Sequence, residues 1–254
     1  MKKIISYNLN GIRSAISKDF VLWLENENPD IVCIQELKAL PEQIDNKLFE
    51  QLGYNCYWFS AKKKGYSGVG ILTKQKPDNV VYGLNDIFFD NEGRFLRADY
   101  GDISVISTYF PSGSNDERQY YKMEWLTIFR KYINELQKTR NKLIISGDYN
   151  ICRLWIDIHN PEQQLQTSGF LPEEREWFQQ FIDDGFVDTF REFDATKEKY
   201  SWWSYRAGSR ERNKGWRIDY NIVTENLKEK LLNARILNNI VHSDHCPVVL
   251  EIDM

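Results

Sequence analysis

The sequence predicts an α/β fold in which two mixed β-sheets pack face to face and helices cover their outer sides. The strands read as near-continuous apolar runs such as Lys142–Asp148, which indicates burial on both faces. Helical segments lie between the strands in both halves of the chain and would supply the outer layers. No linker-like tract or internal repeat divides the 254 residues, so we expect one domain over residues 1–254.

The first half of the chain is rich in predicted strands. They cover Ile4–Asn8, Ile31–Glu36, Tyr54–Ser60 and Ser67–Thr73, and helices are predicted at Asp19–Glu27 and Pro41–Leu52. A proline at the first turn, as at Pro41, is typical of a helix start. Arg94–Asp99 and Ser104–Tyr109 flank the turn residues Gly101-Asp102, a pattern that predicts a hairpin.

A long helix over Asp116–Lys138 is predicted from one apolar stripe. Its members recur at steps of four, three, four and four residues, which places them on a single helical face: Tyr121, Trp125, Ile128, Tyr132 and Leu136. We assign this stripe to the core. The remaining predicted elements are the strand Lys142–Asp148, the helix Pro172–Asp184 and strands over Trp202–Tyr205, Ile218–Val223 and Val248–Ile252.

Composition and charge limit the class of protein. Acidic residues (37) outnumber basic ones (33), so the formal charge is −4. Proteins that coat nucleic acid are usually basic, so any site for a polyanion must be local. The apolar run after Met1-Lys2-Lys3 is too short for a signal peptide, and no segment could span a bilayer, so we expect a cytoplasmic protein without membrane partners. The four cysteines lack CxxC spacing, which predicts reduced thiols.

Several predicted strands end in polar side chains. Asn8, Glu36, Tyr109 and Asp148 each close such a run, and Asn150 follows the last one. One polar residue after a strand is an ordinary turn residue. Four such ends together favour convergence on a shared rim. Glu36, Asp148 and Asn150 offer hard oxygen ligands, and without a cysteine cluster the natural metal is Mg²⁺ or Mn²⁺.

His245 is a candidate site residue because of its neighbours. A lone histidine is usually structural, but Asp244 precedes this one, and Asp219 lies at the mouth of a neighbouring predicted strand. A carboxylate behind an imidazole fixes its tautomer and favours its cationic form. Such a group would suit a site that faces phosphate.

The segment Tyr200–Arg217 mixes cations with aromatic residues. It reads either as an exposed hairpin with aromatic packing on one side, or as a surface that grips a nucleic-acid backbone and lines a pocket for an extruded nucleotide. We favour the second interpretation because the segment adjoins Asp219. Its candidate DNA-binding residues are Trp202, Arg206, Arg210, Arg212, Lys214 and Trp216.

Together these residues resemble the exonuclease III family of abasic-site endonucleases, within the deoxyribonuclease-I-like endonuclease/exonuclease/phosphatase superfamily. The resemblance covers nearly the whole chain. Each landmark is weak alone, but their order and spacing make the set specific. The landmarks are Tyr7–Arg13, Ile34–Lys38, Tyr66–Gly70, Tyr109–Gly113, Gly147–Asn150, Ile156–Ile158, Gly215–Tyr220 and Ser243–His245.

The resemblance implies a four-layer α/β sandwich and Mg²⁺-dependent cleavage of DNA 5′ to an abasic site, leaving a 3′-hydroxyl. It also implies 3′-to-5′ exonuclease or 3′-end trimming activity on double-stranded DNA with abasic or blocked 3′ ends. We expect a monomer.

The resemblance also implies a role for each matching residue. The metal candidates are Asn8, Glu36, Asp148, Asn150, Asp244 and His245. Asp148 would orient or deprotonate the attacking water, and Asn150 would position it. Tyr109 and His245 would contact the scissile phosphate, with Asp219 behind His245. The pocket for the sugar without a base would be formed by Trp202, Trp216 and Ile218.

Two segments depart from the family pattern. Where a histidine motif usually follows the Gly147–Asn150 segment, this chain has Cys152-Arg153-Leu154-Trp155. Loss of polar groups that support metal ligands can lower metal affinity by about tenfold or more, so we expect altered metal or substrate preference. The second departure is Leu37, where threonine is usual.

Two other functions remain open. One is a damage-binding paralogue with altered or lost turnover, which only the substitutions at Arg153–Trp155 support. The other is a phosphodiesterase or phosphatase of the same superfamily that acts on lipid or inositol phosphates. The second would call for a membrane-facing apolar hairpin or a secretion signal, and the sequence shows neither.

Overall fold

The computed structural model describes residues 1–254 and contains two six-stranded mixed β-sheets. The first sheet is formed by β1 (Lys2–Asn8), β2 (Ile31–Gln35), β3 (Asn55–Phe59), β4 (Val69–Thr73), β13 (Leu231–Ile236) and β14 (Val248–Ile252). The second is formed by β5 (Asn79–Tyr82), β6 (Phe95–Tyr100), β7 (Ile103–Tyr109), β8 (Lys142–Asp148), β9 (Phe186–Asp188) and β12 (Asp219–Thr224). A separate two-stranded ribbon is formed by β10 (Trp202–Trp203) and β11 (Gly215–Trp216).

The sheets are related in their connectivity. Their strand orders are β13-β14-β1-β2-β4-β3 and β5-β6-β7-β8-β12-β9. Each contains one parallel pair near its centre, β1 with β2 and β7 with β8, and the other pairs are antiparallel. Parallel neighbours need a crossover connection, and helices supply it in both sheets.

Seven α-helices accompany the sheets. They are α1 (Ile12–Ile16), α2 (Phe20–Glu27), α3 (Lys47–Glu50), α4 (Ile87–Asp90), α5 (Asp116–Gln137), α6 (Pro172–Asp183) and α7 (Thr189–Phe193). Short 3₁₀ turns occupy Pro41–Gln43, Trp155–Asp157, Pro161–Gln163, Arg206–Gly208 and Glu225–Lys230.

Three apolar clusters show the layering. One lies between the sheets and includes Ile4, Val105 and Ile144. A second joins the first sheet to α1 and α2, and a third joins the second sheet to α5 and α6. The order helix, sheet, sheet, helix confirms the four-layer α/β sandwich.

Alternation along the strands decides which side chains enter the space between the sheets. In β1, Ile4 belongs to the inter-sheet cluster and Ile5 to the helix-side cluster. In β8, Ile144 and Ile145 divide in the same way. With a period of two, Asn8 and Asp148 therefore follow Ile4 and Ile144 into the inter-sheet space at the strand ends.

Helix α5 confirms the predicted long helix with a broader buried face. Asn115 caps it, because its side-chain oxygen accepts a hydrogen bond from the Arg118 amide. Ile128 and Tyr132 of the predicted stripe are only partly buried. The buried apolar residues of the helix are Tyr121, Trp125, Leu126, Phe129, Ile133 and Leu136.

The helix predicted over Pro41–Leu52 was wrong as a single element. The segment contains the 3₁₀ turn and the single α-helical turn of α3, with Ile44 in an extended conformation between them. The Asp45 carboxylate accepts a hydrogen bond from the Lys47 amide at 3.1 Å. Such local bonds offer the backbone an alternative to a continuous helix.

The other predicted elements lie close to their expected positions. The hairpin of β6 and β7 is confirmed, with Tyr100 paired to Ile103 across the turn. The cysteines are all free thiols, three of them buried and Cys56 half-buried. None of the helices combines the length and the apolar character that a membrane crossing requires.

Candidate active site

Polar strand ends from both sheets meet at one rim. The Asn8 side-chain amide donates to Glu36 Oε1 at 2.9 Å and to Asp148 Oδ2 at 2.8 Å. Because β1 lies in the first sheet and β8 in the second, Asn8 bridges the two sheets. Tyr109, at the end of β7, pairs in register with Asp148, and both side chains border a cavity above the rim. The structure thus brings together the strand ends selected from the sequence.

Glu36 is held in an uncommon backbone conformation. Its φ of 53° is in the left-handed region, which costs a non-glycine residue about 1–3 kcal/mol. Flanking hydrogen bonds keep it there: the Gly11 amide donates to the Glu36 carbonyl at 2.8 Å, and the Leu37 amide to the Gly68 carbonyl at 3.1 Å. The Glu36 carboxylate lies 2.7 Å from Lys38 Nζ.

Asn150 reaches Asp148 through a turn. Its φ of 49° lies in the left-handed region, so the chain turns directly after the end of β8. Its amide donates to Asp148 Oδ1 at 2.8 Å, and its side chain donates to the Phe110 carbonyl at 2.9 Å. Both side chains still border one cavity.

An imidazole and two carboxylates form the other side of the rim. His245 Nδ1 lies 2.9 Å from Asp219 Oδ2, and His245 Nε2 lies 3.9 Å from Asp148 Oδ2. The Ser201 hydroxyl donates to Asp219 Oδ2 at 2.6 Å. Asp219 is therefore the carboxylate behind His245, as the resemblance implied. Asp244 instead accepts hydrogen bonds from Asn10 at 2.8 Å and from the Trp202 indole at 3.0 Å.

Burial and mutual charge set the protonation of these groups. Burial alone would lower the pKa of His245, but the Asp219, Asp148 and Asp244 carboxylates outweigh it and raise the pKa to about 10. Burial, followed by repulsion from Asp219, raises the pKa of Asp148 despite the nearby imidazole. The imidazole is therefore a cation at neutral pH, and Asp148 is a stronger base than an exposed aspartate.

Tyr109 keeps its phenolic proton. Burial and the Glu36 carboxylate raise its pKa well above the ordinary value, and Arg94 only partly opposes them. The phenol is thus a hydrogen-bond donor at any physiological pH.

The rim has ligand atoms that could bind a metal ion. One ligand atom each from Glu36, Asp148 and His245 lie within 4.8 Å of one another. Two carboxylates with no thiolate fit a hard divalent ion. The residues present therefore suit a metal ion.

A cavity of about 400 Å³ opens directly above these groups. Its lining includes the apolar side chains of Trp202, Trp216 and Ile218 and the hydroxyl-bearing residues Ser112 and Ser168. The two indoles meet edge to face with ring centroids 5.9 Å apart, because Trp202 and Trp216 are partners across the β10–β11 ribbon. Behind them pack the buried side chains of Cys152, Ile158, Phe170 and Ile218.

The candidate DNA-binding cations divide into two groups. Arg206, Arg212 and Lys214 are exposed, and Lys214 borders a second cavity that adjoins Trp202 and Trp216. Arg210 is engaged internally: it donates to the Ser243 carbonyl at 3.0 Å and lies 4.6 Å above the Trp203 ring. It also donates to the carbonyls of Asn238 and Ile240. Arg210 thus anchors the loop that leads to His245.

The atypical Arg153–Trp155 segment makes its contacts elsewhere. Arg153 bonds to Gln179 and Asp188, and Trp155 packs edge to face on Phe170 with Arg175 nearby. None of its three side chains borders the cavity above Asp148.

Sequence reasoning missed a buried ion pair beside the site. Lys122 Nζ lies 2.6 Å from Glu174 Oε1, and both side chains are fully buried. Lys122 also donates to the Asn150 carbonyl at 2.9 Å, and Glu174 accepts from the Gly169 amide at 2.6 Å. The available signal was a lysine three residues before Trp125 on the buried face of a helix, which is rare without a partner.

Known proteins with similar sequences are nucleases of one family. The model of the endonuclease/exonuclease/phosphatase family matches residues 5–245. An exodeoxyribonuclease of Bacillus subtilis (strain 168) is 42% identical over 255 residues, which cover 99% of this chain and 100% of that protein. A DNA-(apurinic or apyrimidinic site) endonuclease of Dictyostelium discoideum is 36% identical, with 99% of this chain and 71% of that protein covered.

Solved structures agree in fold. An AP endonuclease from Archaeoglobus fulgidus matches with a TM-score of 0.89 and 31% identity, and the match covers all of both chains. A 3′ phosphatase from Neisseria bound to a product DNA hairpin matches with a TM-score of 0.90 and 26% identity, again over all of both chains.

Proposed function

Because the chain belongs to the endonuclease/exonuclease/phosphatase family, we propose that it cleaves the DNA phosphodiester 5′ to an abasic site, leaving a 3′-hydroxyl. It also trims blocked 3′ ends in the 3′-to-5′ direction, and it acts as a cytoplasmic monomer on double-stranded DNA. The observation that carries the proposal is the cavity that joins the Asp148 and His245 rim to the wall formed by Trp202, Trp216 and Ile218.

The proposed cofactor is Mg²⁺, with Mn²⁺ as a substitute. Glu36 and Asp148 would hold it, with the polar groups of Asn8, Asn150 and Asp244 nearby. His245 is a cation at neutral pH, so it would donate to phosphate and would not bind the ion. When bound, the ion would neutralise phosphate charge and stabilise the leaving oxygen.

The protein side chains would orient water and phosphate. Asp148, with its raised pKa, would accept a proton from the attacking water at a carboxylate oxygen. The Asn150 amide donates to Asp148 Oδ1, and the Asn8 side chain donates to Oδ2, which lies 3.9 Å from His245 Nε2. Protonated Tyr109 and cationic His245 would donate to the phosphate oxygens, where negative charge builds up.

The cavity walls would select the substrate by size. A sugar that has lost its base would enter this cavity, and a sugar with its base attached would be excluded by its size. Apolar contact with Trp202, Trp216 and Ile218 favours the sugar ring. Exposed Arg206, Arg212 and Lys214 would contact backbone phosphates.

The test uses purified protein and a duplex that carries one abasic analogue, with Mg²⁺ or with chelator. We expect one Mg²⁺-dependent cut immediately 5′ to the lesion and a 3′ end that a polymerase extends. Tight binding without a cut in Mg²⁺ and in Mn²⁺ would replace this function with that of a damage-binding paralogue. Cleavage of inositol phosphates in preference to abasic DNA would assign it to the phosphatase branch.

A further inference from the structure

Arg94 is a buried cation that no part of the proposed mechanism uses. It immediately precedes β6 and is 3% exposed. Its guanidinium lies 4.6 Å from the centroid of the Tyr109 ring, and its Nη1 donates to the Tyr109 carbonyl at 3.0 Å. The same side chain therefore holds Tyr109 by both its ring face and its backbone.

Arg94 makes two further side-chain hydrogen bonds. Nε donates to Glu92 Oε2 at 2.7 Å, and Nη2 donates to the Tyr66 hydroxyl at 3.1 Å. Arg118 donates to both carboxylate oxygens of Glu92, from Nη1 to Oε1 at 2.8 Å and from Nη2 to Oε2 at 3.0 Å. Each of the three Arg94 nitrogens thus has a different partner, and these partners together fix the plane of the Arg94 guanidinium.

The turn that carries Arg94 is packed against the basic loop Lys62–Lys64. The Lys62 amide donates to the Asn91 carbonyl at 2.9 Å. A Cβ on Gly93 would lie 2.6 Å from the Phe59 carbonyl oxygen, so the two backbones are in direct contact. Lys63 in turn lies 5.2 Å from the centroid of the Tyr66 ring.

We propose that Arg94 is a positioning residue for Tyr109. It fixes the ring at the rim, and its charge over the ring face polarises the phenol so that the hydroxyl donates more strongly to the scissile phosphate. This inference rests on the proposed role of Tyr109.

The experiment is a double-mutant cycle on abasic DNA with Arg94→Met, Arg94→Lys and Tyr109→Phe. Phenylalanine keeps the ring face and the carbonyl that Arg94 contacts, and it removes only the hydroxyl. We expect Arg94→Met to lower kcat about ten- to a hundredfold, with KM little changed. Arg94→Lys, which keeps the charge without the fork, should recover part of this loss. In the Tyr109→Phe background, Arg94→Met should cost less than about threefold.

Arg97→Met is the matched control. Arg97 lies in β6, three residues after Arg94, but it bonds to Asp99 and Tyr132 and does not contact Tyr109. It should leave kcat unchanged, whatever it does to the melting temperature. Equal losses from Arg94→Met in both backgrounds would overturn the inference. Unchanged turnover in Tyr109→Phe alone would instead reject the proposed role of Tyr109.

Discussion

Single residues at the rim depend on neighbours far away in the sequence. Asn8, Glu36, Asp148 and His245 could be chosen from the sequence because each closes or begins an apolar run. Their contacts could not be chosen in that way. Arg210 illustrates the difference: it was expected to bind DNA, but its donors face three backbone carbonyls. The sequence does not distinguish an arginine that binds DNA from one that anchors a loop. The distinction depends on the position of the Ser243 carbonyl, 33 residues further along the chain.

Trp216→Ala should reduce selection of abasic DNA more than binding of intact duplex. The indole forms a cavity wall with Trp202, and losing its apolar contact should lower the abasic preference about tenfold to a hundredfold. Competition binding with matched abasic and intact duplexes measures this ratio. The control is Trp155→Ala, an indole outside the cavity, which should change the ratio little. Equal losses on both duplexes for Trp216→Ala would argue against a pocket.

Helices and strands were predictable where the apolar pattern extended over many residues. The period of two in β1 and β8 explains both their burial and the direction of Asn8 and Asp148 at their ends. Three strands were missed: β5 and β13 because their side chains are largely exposed or half-buried, and β9 because it has only three residues. The second predicted helix failed because the local Asp45 bond competes with helical bonds, and hydrophobic periodicity does not report such bonds.

Helices α5 and α6 are linked to the active site by the Lys122–Glu174 pair. Lys122→Met leaves the Glu174 carboxylate buried without its cation, and we expect it to lower the free energy of unfolding by about 3–5 kcal/mol. The double variant Lys122→Met with Glu174→Gln should recover most of this loss, because the neutral amide can still accept from Gly169 and Leu171. Urea unfolding measures both values.

The matched control is the exposed pair of Glu135 and Lys138. Lys138→Met should change the free energy of unfolding by less than about 1 kcal/mol. A loss of that small size for Lys122→Met would show that the buried pair does not stabilise the helix contact.

At the scale of the whole molecule, buried ion pairs hold distant segments together in addition to the three apolar clusters. Arg217 is 1% exposed and donates to Asp157 and Asp188, which lie on separate segments. Neither partner was foreseen, because the sequence places Asp157 60 residues before Arg217. The four-layer sandwich was predictable from apolar runs. The buried ion pairs of Arg217 were not, because charged residues carry no periodic signal of burial.

The Asp157 network predicts how stability depends on pH. Burial would raise the pKa of Asp157, but Arg217 and Arg191 outweigh it and hold the folded-state pKa below the ordinary value of 3.8. Ionised Asp157 therefore contributes fully to the free energy of unfolding above pH 3.8. This contribution is lost as the pH falls through the lower pKa of the folded state. Wild-type unfolding free energy should decline in this acidic range. Arg217→Met should be less stable at pH 7 by about 3–5 kcal/mol and should show a shallower decline.

Urea unfolding at a series of pH values between neutral and strongly acidic tests this prediction. Parallel pH profiles for the wild type and Arg217→Met would show that the ion pairs of Asp157 do not control acid stability.

In the proposed mechanism the converging strand ends form a chemical site in which Asp148 acts on water and does not bind the DNA. The most direct measurement compares Asp148→Asn with wild type for both turnover and abasic-DNA affinity, with the remote exposed carboxylate change Asp183→Asn as control. We expect turnover by Asp148→Asn to fall about 10³-fold or more while affinity stays within about threefold. Retained turnover, or a loss of affinity equal to the loss of turnover, would contradict this account.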